Sequence, residues 1–332
     1  FKMGFLNETY WLPRDVQWSQ MPTDSRDLLY PVYFTIPMLF CRVLLETFVG
    51  IPVGNLLGYG EGTIISQMTT HFLGGFTAQT RSKRILECFW RFFFYTSAFV
   101  YGCKIMIHKS WLWDVKECWV GYPWHTTDDD VWWYYMVELT FYYSLLISSI
   151  FDVRRSDFWQ LIFHHIVTIG LLSLSYAINF VRVGTLVLFS HDAADILLEG
   201  GKLVKYDKTR TKTTNGIFVV FLICWIATRL GYFPFTVMRS AVFEAASLIQ
   251  PDYDVFDLFQ VPYAPRIIVF MLCCLVVLHI FWTIIIGRIV YKTAMDGEAA
   301  DIRSDSEEEE LEAKRQSERK KILTKKRPTK QD

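Results

Sequence analysis

Apolar residues along the chain gather in long blocks separated by short polar stretches. Seven blocks approach or exceed the twenty or so residues with which an α-helix crosses a bilayer core. They run over roughly 31–56, 86–106, 131–151, 158–178, 181–201, 215–238 and 265–291. The pattern predicts an all-α, polytopic membrane protein with seven transmembrane helices. The first block is interrupted by Pro37, Arg42 and Glu46; the two charges lie four apart on one helix face and can neutralise each other. Residues 1–30 precede it, 57–85 form a short linker to the second block, and 292–332 form a charged tail. The first span is expected to act as the membrane anchor, no cleavable signal peptide being visible.

Basic residues set the expected orientation. Alternate loops hold Arg81, Lys83 and Arg84, then Arg154 and Arg155, then Lys202, Lys205, Lys208, Arg210 and Lys212. The intervening loops hold only Lys109, Lys116, Arg182 and Arg239, together with Asp128 to Asp130 and Asp252, Asp254 and Asp257. One end of the bundle is therefore basic and the other acidic. The basic end is expected in the cytosol, with the N-terminus lumenal and the C-terminus cytosolic. Asn7-Glu8-Thr9 is a glycosylation sequon on the expected lumenal side. Trp132 to Tyr135 open the third span where amphipathic rings favour the headgroup layer.

Composition removes alternatives. The chain has 332 residues, 52% hydrophobic and only 20% charged, with 34 basic and 34 acidic side chains. A balanced charge excludes an overall basic nucleic-acid binder. The tail from Asp296 places Ser304 and Ser306 before four consecutive glutamates and a Lys/Arg-rich stretch, which predicts a solvated segment with phosphorylation at both serines as its sharper reading. Cys103 and Cys118 fall at one acidic-end loop, where a disulfide and free thiols are both open.

The chemistry concentrates in the fourth and fifth spans. The fourth carries His164 and His165; the fifth carries His191, Asp192, Asp195 and Glu199. Ionisable groups inside a membrane cost several kcal/mol, so they face a cavity or one another. At about 1.5 Å per residue, His164 lies roughly 10 Å from the basic end and Asp195 and Asp192 at a similar depth. A turn of about three residues joins the two spans, which predicts antiparallel packing and a site open to the basic end. His191, Asp195 and Glu199 recur every four residues on one face. His164 and His165 point about 100° apart, so one is expected to do chemistry while the other positions it or binds substrate. Three readings fit these groups: a histidine base or nucleophile in acyl transfer supported by aspartate, a metal site of a membrane lipid hydrolase or hydroxylase, or a proton path in a lipid or ion transporter.

Residues 164–206, HHIVTIGLLSLSYAINFVRVGTLVLFSHDAADILLEGGKLVKY, resemble the longevity-assurance motif of ceramide synthases. The elements are HH, S-x-S-Y, N-x-x-R-x-G-x-L-V, HD-x-x-D-x-x-L-E and K-x-x-Y, and the likeness extends through Trp90 to Tyr95, Trp111 to Trp113 and Phe151 to Arg155 into DIRSDSEEEE of the tail. Two features depart from it. Gly200-Gly201 stands where a small residue such as Ala followed by Ala or Cys is expected, and the linker is too short for a full homeobox-like domain.

The resemblance implies that 86–291 form a six-helix bundle of the TLC type. It further implies an endoplasmic-reticulum enzyme that moves a fatty acyl group from acyl-CoA, a co-substrate, to the amine of sphinganine or sphingosine. By position, His164 and His165 match the paired catalytic histidines and Asp192 and Asp195 the paired acids, with His164 favoured as the reacting group and one aspartate as its partner. Neither metal nor another cofactor is implied. His191, Glu199 and Lys202 are candidate substrate contacts; Lys202, Lys205 and Arg210 could meet CoA phosphates, although a role as topology charges is the plainer expectation. Arg182 at the turn is read as a cap or snorkelling residue, with substrate contact as the alternative. His279 is expected to pack between helices. Membrane lipid is the expected surrounding, and a homo- or heterodimer with family members is compatible with the resemblance.

Overall fold

The computed structural model describes residues 7–60, 62–77, 80–245, 250 and 252–296. Among them the ordered elements are all helical: α1 (Ser25–Leu56), α2 (Ile64–Phe72), α3 (Arg81–Met106), α4 (Asp129–Ser148), α5 (Phe158–Ala177), α6 (Val181–Lys205), α7 (Thr211–Glu244) and α8 (Ala264–Asp296), with short helical turns between. Helix α1 passes through a π-helical turn at Glu46–Gly50, and α7 is π-helical from Ile226 to Met238. Ser304 and Ser306 lie outside the described residues.

Among the described residues four helices, α1, α5, α7 and α8, are long and apolar enough to cross a membrane by length and composition alone. The other three long helices are less apolar, in part because they carry polar and charged groups that the protein encloses. Lys83, Arg84 and Glu87 of α3, Glu138 of α4 and His191, Asp192 and Glu199 of α6 are all buried inside the protein. Polar groups turned inward leave apolar side chains such as Phe93, Val100, Val137 and Ile147 on the outer face of these helices.

Helices α3 to α8 close a ring. Contacts run from α3 to α6, α6 to α7, α7 to α8, α8 to α5, α5 to α4 and α4 back to α3, with α1 laid against α4. This corrects the expectation that α5 and α6 pack side by side. They meet near the tight turn that joins them and otherwise face each other across the ring. That turn needs Asn179 at φ 60°, a left-handed conformation Asn tolerates, and its side-chain amide donates to the carbonyls of Pro123 and His125 at 2.7 and 2.8 Å. Gly184 lets α6 pack tightly on α4: a Cβ there would fall 2.6 Å from Tyr135 Oη.

A buried ionic network ties α1 to the ring. Arg42 Nε donates to Glu46 Oε1 at 2.7 Å, the four-residue pairing read from the sequence, and its Nη1 and Nη2 grip Asp152 at 3.1 and 2.7 Å. Glu46 Oε2 also meets His71 of α2 at 3.0 Å and Lys83 of α3 at 3.4 Å. Three helices therefore meet at one carboxylate with no side-chain exposure. The loop that carries Asp152 is held in turn by Glu87, which accepts the Val153 N–H at 3.0 Å. Cys103 and Cys118 are both free thiols, the first exposed and the second buried, so the disulfide considered above is not formed.

Candidate active site

All six ring helices contribute to one interior cavity of about 160 Å³. Glu87, Arg91 and Tyr95 come from α3, Leu145 from α4, His164 and His165 from α5, Asp195, Glu199 and Lys202 from α6, Arg229 from α7 and Trp282 from α8. The cavity reaches from the histidines to a rim at the basic end that carries Arg155 and Lys202. Spacing along α6 explains the rim and the floor together. Asp195, Glu199 and Lys202 lie three or four residues apart and stack down one face.

The imidazoles of His164 and His165 stand 5.8 Å apart, centroid to centroid. Tyr142 of α4 packs edge-on against both, at 6.2 and 6.3 Å, and Trp282 closes on His164 at 5.5 Å. Trp282 is itself pinned by donating Nε1–H to Asp157 at 3.1 Å. An aromatic frame thus fixes both rings, and the Nδ1 atoms of both have no hydrogen-bond partner among the described residues.

The expected aspartate–histidine contact is not made. Asp195 is held by Arg229, whose Nη2 donates to Asp195 Oδ2 at 2.9 Å and to the His191 carbonyl at 2.8 Å. Asp192 is fully buried behind the cavity wall and receives the Tyr134 hydroxyl at 3.2 Å. The cause is the ring order: with α6 across from α5, its acids meet α7 and α4 first. His191 also lies behind the wall, its Nδ1 at 2.6 Å from the Val187 carbonyl and its ring against Phe233 and His279. His279 adds to its packing role a contact of 3.4 Å with Arg229 Nη1. Glu199 pairs with Lys202 at 2.7 Å and Arg91 at 3.3 Å. Arg182 is not at the cavity. Its guanidinium donates to the carbonyls of Glu117 and Val120 at 2.9 and 3.3 Å and covers the Trp111 ring, which leaves it as the cap of an acidic-end loop.

The motif-based reading passes over Arg91, Glu138 and Arg229. The signal for two of them is plain in retrospect: Glu138 and Arg229 are single charges in otherwise apolar spans, which marks a residue facing the protein interior. Among the described residues no three His, Cys, Asp or Glu side chains converge closely enough to hold a metal ion.

The TLC domain family model matches residues 84–288, the stretch that forms the ring. Ceramide synthase hyl-1 of Caenorhabditis elegans is 54% identical over 309 residues, covering 91% of this chain and 84% of the relative. The chain belongs to the ceramide synthase family. Ceramide synthase hyl-2 of the same organism is 38% identical, covering 91% of this chain and 93% of the relative. Human ceramide synthase 5 is 31% identical, covering 92% and 88%. In this member of the family the paired histidines and Asp195 reach one cavity, while Asp192 and His191 stand one layer behind it.

Proposed function

We propose that the chain transfers a fatty acyl group from acyl-CoA to the amine of sphinganine or sphingosine, releasing dihydroceramide or ceramide and free CoA. The observation that carries this reading is the meeting of two framed imidazoles and a carboxylate in one cavity with a cationic rim. The amine is an ammonium at neutral pH and must lose a proton before it attacks a thioester. His164 or His165 accepts that proton, or one of them attacks first and forms an acyl-imidazole that the amine then opens. Asp195, fixed by Arg229, supplies the negative charge that holds the incoming ammonium at the wall. Arg91, Arg155 and Lys202 offer cations at the rim to the phosphates of CoA. No cofactor enters this scheme, and no second reading has an observation in its favour.

The same reading gives the protein seven spans in the endoplasmic-reticulum membrane. The N-terminal segment 1–30 is lumenal, the linker 57–85 and tail 292–332 are cytosolic, and 86–291 form the catalytic bundle. Asn7, exposed in the structure, is then open to glycosylation, and Ser304 and Ser306 to phosphorylation. Pairing with a second family member is compatible with it.

Purified protein in detergent, given acyl-CoA and sphinganine, should form the amide, and His164→Ala and Asp195→Ala should each abolish it while the protein stays folded. Wild-type turnover in either variant would remove that residue from the scheme. Intact-protein mass spectrometry after incubation with acyl-CoA alone distinguishes the two routes, since only the acyl-imidazole route leaves a histidine adduct. Activity lost on chelation and restored by metal would overturn the metal-free scheme.

A further inference from the structure

Glu138 is a carboxyl group without a donor. It lies midway along α4 with no exposure, and neither of its oxygens receives a hydrogen bond among the described residues. Tyr134, one turn before Glu138 on the same face of α4, donates its hydroxyl to Asp192 at 3.2 Å, which sets the two buried carboxyls side by side between α4 and α6. Asp192 takes the Tyr134 hydroxyl on Oδ2, and its Oδ1 is likewise without a donor. Among the described residues neither group forms an ion pair; Arg229 is engaged by Asp195, one turn further along α6. Two neighbouring carboxylates, out of water and with a single hydroxyl donor between them, are strongly disfavoured as two charges. The arrangement is satisfied when one proton sits between them and closes an O–H···O⁻ bond.

The pair lies close to the reacting groups. Tyr142, one turn from Glu138 on the same helix, packs against both imidazoles. Tyr95 of α3 lines the cavity, and both phenols lie within the electrostatic reach of Asp192 and Asp195. The groups around the pair are therefore Tyr134 and Tyr142 from α4, Tyr95 from α3, Asp195 from α6 and Arg229 from α7, and Tyr142 stands between the pair and the two histidines of α5.

We propose that Glu138 and Asp192 form a one-proton carboxyl pair that takes up the proton released in each acyl transfer. This rests on the reading above for the source of the proton. An ammonium and a thioester become an amide and a thiol: the N–C bond forms, the C–S bond breaks, the sulfur takes one proton, and one more must leave. The imidazole receives that proton from the amine and passes it by way of the Tyr95 and Tyr142 hydroxyls to the pair. The pair changes from one proton and a single negative charge to two protons and none, then returns the proton to solvent as the cavity opens for CoA to leave. Glu138 touches no substrate in this scheme; it is a positioning residue that acts through Asp192.

Two measurements test it on full-length protein in detergent. Infrared spectra in light and heavy water should show a protonated-carboxyl C=O band, shifted by deuterium, that is lost in both Glu138→Gln and Asp192→Asn. This readout does not need turnover, so it stands or falls apart from the acyl-transfer reading. In the wild type, amide formation confirms the source of the proton. Glu138→Gln, nearly the same shape, should then lower kcat by roughly 100-fold with KM for acyl-CoA unchanged, and should move the acidic limb of the kcat–pH profile. An unchanged band in Glu138→Gln overturns the shared proton. A wild-type kcat and pH profile in that variant, with the wild type active, overturns its role as proton acceptor and leaves the acyl-transfer reading intact.

Discussion

Replacing Arg229 by methionine tests the central geometric finding, that the cavity acid is held by a guanidinium rather than by an imidazole. The substitution removes the 2.9 Å bond to Asp195 and the 2.8 Å bond to the His191 carbonyl. It keeps an apolar stem against Trp225, over whose ring the guanidinium stands at 5.3 Å. Hydrogen bonds to charged groups contribute about 1.5–3 kcal/mol each, and stranding a buried partner charge costs about 3–5 kcal/mol. Asp195 has 19% of its side chain exposed toward the cavity, so water relieves part of that cost. The net loss should be about 3 kcal/mol, or roughly 5–10 °C in apparent melting temperature. Adding Asp195→Asn removes the stranded charge and should restore about 1–2 kcal/mol, which a purely structural role for the arginine stem would not predict. Thermal unfolding of the purified single and double variants reads this directly, and kcat for amide formation should fall with the single variant. A single variant that melts with the wild type, or a double variant no better than the single, would refute the pairing.

Three further outcomes follow from the fold. Arg42→Met takes the guanidinium from Glu46 and Asp152 and leaves Lys83 as the cation they share, at a cost of about 3 kcal/mol, and limited proteolysis should then cut between α1 and α3 at protease levels the wild type resists. Gly184→Ala drives a methyl into Tyr135, which is pinned by Leu172 and Ser175, and should cost about 1–3 kcal/mol; a melting temperature equal to the wild type would mean the helices can separate there freely. His125, in the acidic-end loop, has its pKa pushed down to about 4 chiefly by burial and also by the charge of Arg182. The unfolded chain binds that proton near pH 6.5 and the folded one does not, so stability is fully present above about 6.5 and is lost as pH falls toward 4. Neither ring nitrogen has a partner among the described residues, so His125→Phe should flatten the slope of melting temperature between pH 7 and 5 without loss at pH 7.5; an unchanged slope would assign the acid sensitivity to another group.

The helical class and the membrane setting could be read from apolar block length, because burial in lipid needs only a long apolar helix. The groups that line the cavity were partly legible for a different reason: charges inside a membrane stand out wherever they occur, and His164, His165, Asp195, Glu199 and Lys202 are at the cavity. Their partners were not. A three-residue turn between α5 and α6 suggests neighbours, yet the ring inserts α7 and α8 on one side and α3 and α4 on the other. Which acid meets which cation is then decided by contacts between helices distant in sequence. The pairing of Asp195 with Arg229, 34 positions away, has no trace in local spacing. Arg182 shows the converse, a charge inside a motif that serves a loop cap rather than the site.

The ring order also accounts for why the histidines stand free. The acids that could have bound them are occupied: Asp195 by Arg229, Glu199 by Arg91 and Lys202, Asp157 by the Trp282 indole, and Asp152 by Arg42. An imidazole locked to a carboxylate would be a poor acceptor for a substrate proton or for an acyl carbon, because its nitrogens would already be committed. Here Tyr142 packs against both rings and Trp282 against His164, and neither Nδ1 is committed to a hydrogen-bond partner among the described residues. Orientation without hydrogen-bonding commitment asks for aromatic side chains from two different helices, and α4 and α8, the two neighbours of α5 in the ring, supply them. If that is the purpose of the frame, Trp282→Leu should lower kcat more than it raises KM, since the loss is in the aim of His164 and not in the room for substrate. An effect confined to KM would mean that Trp282 binds substrate and that the imidazoles are positioned by something else.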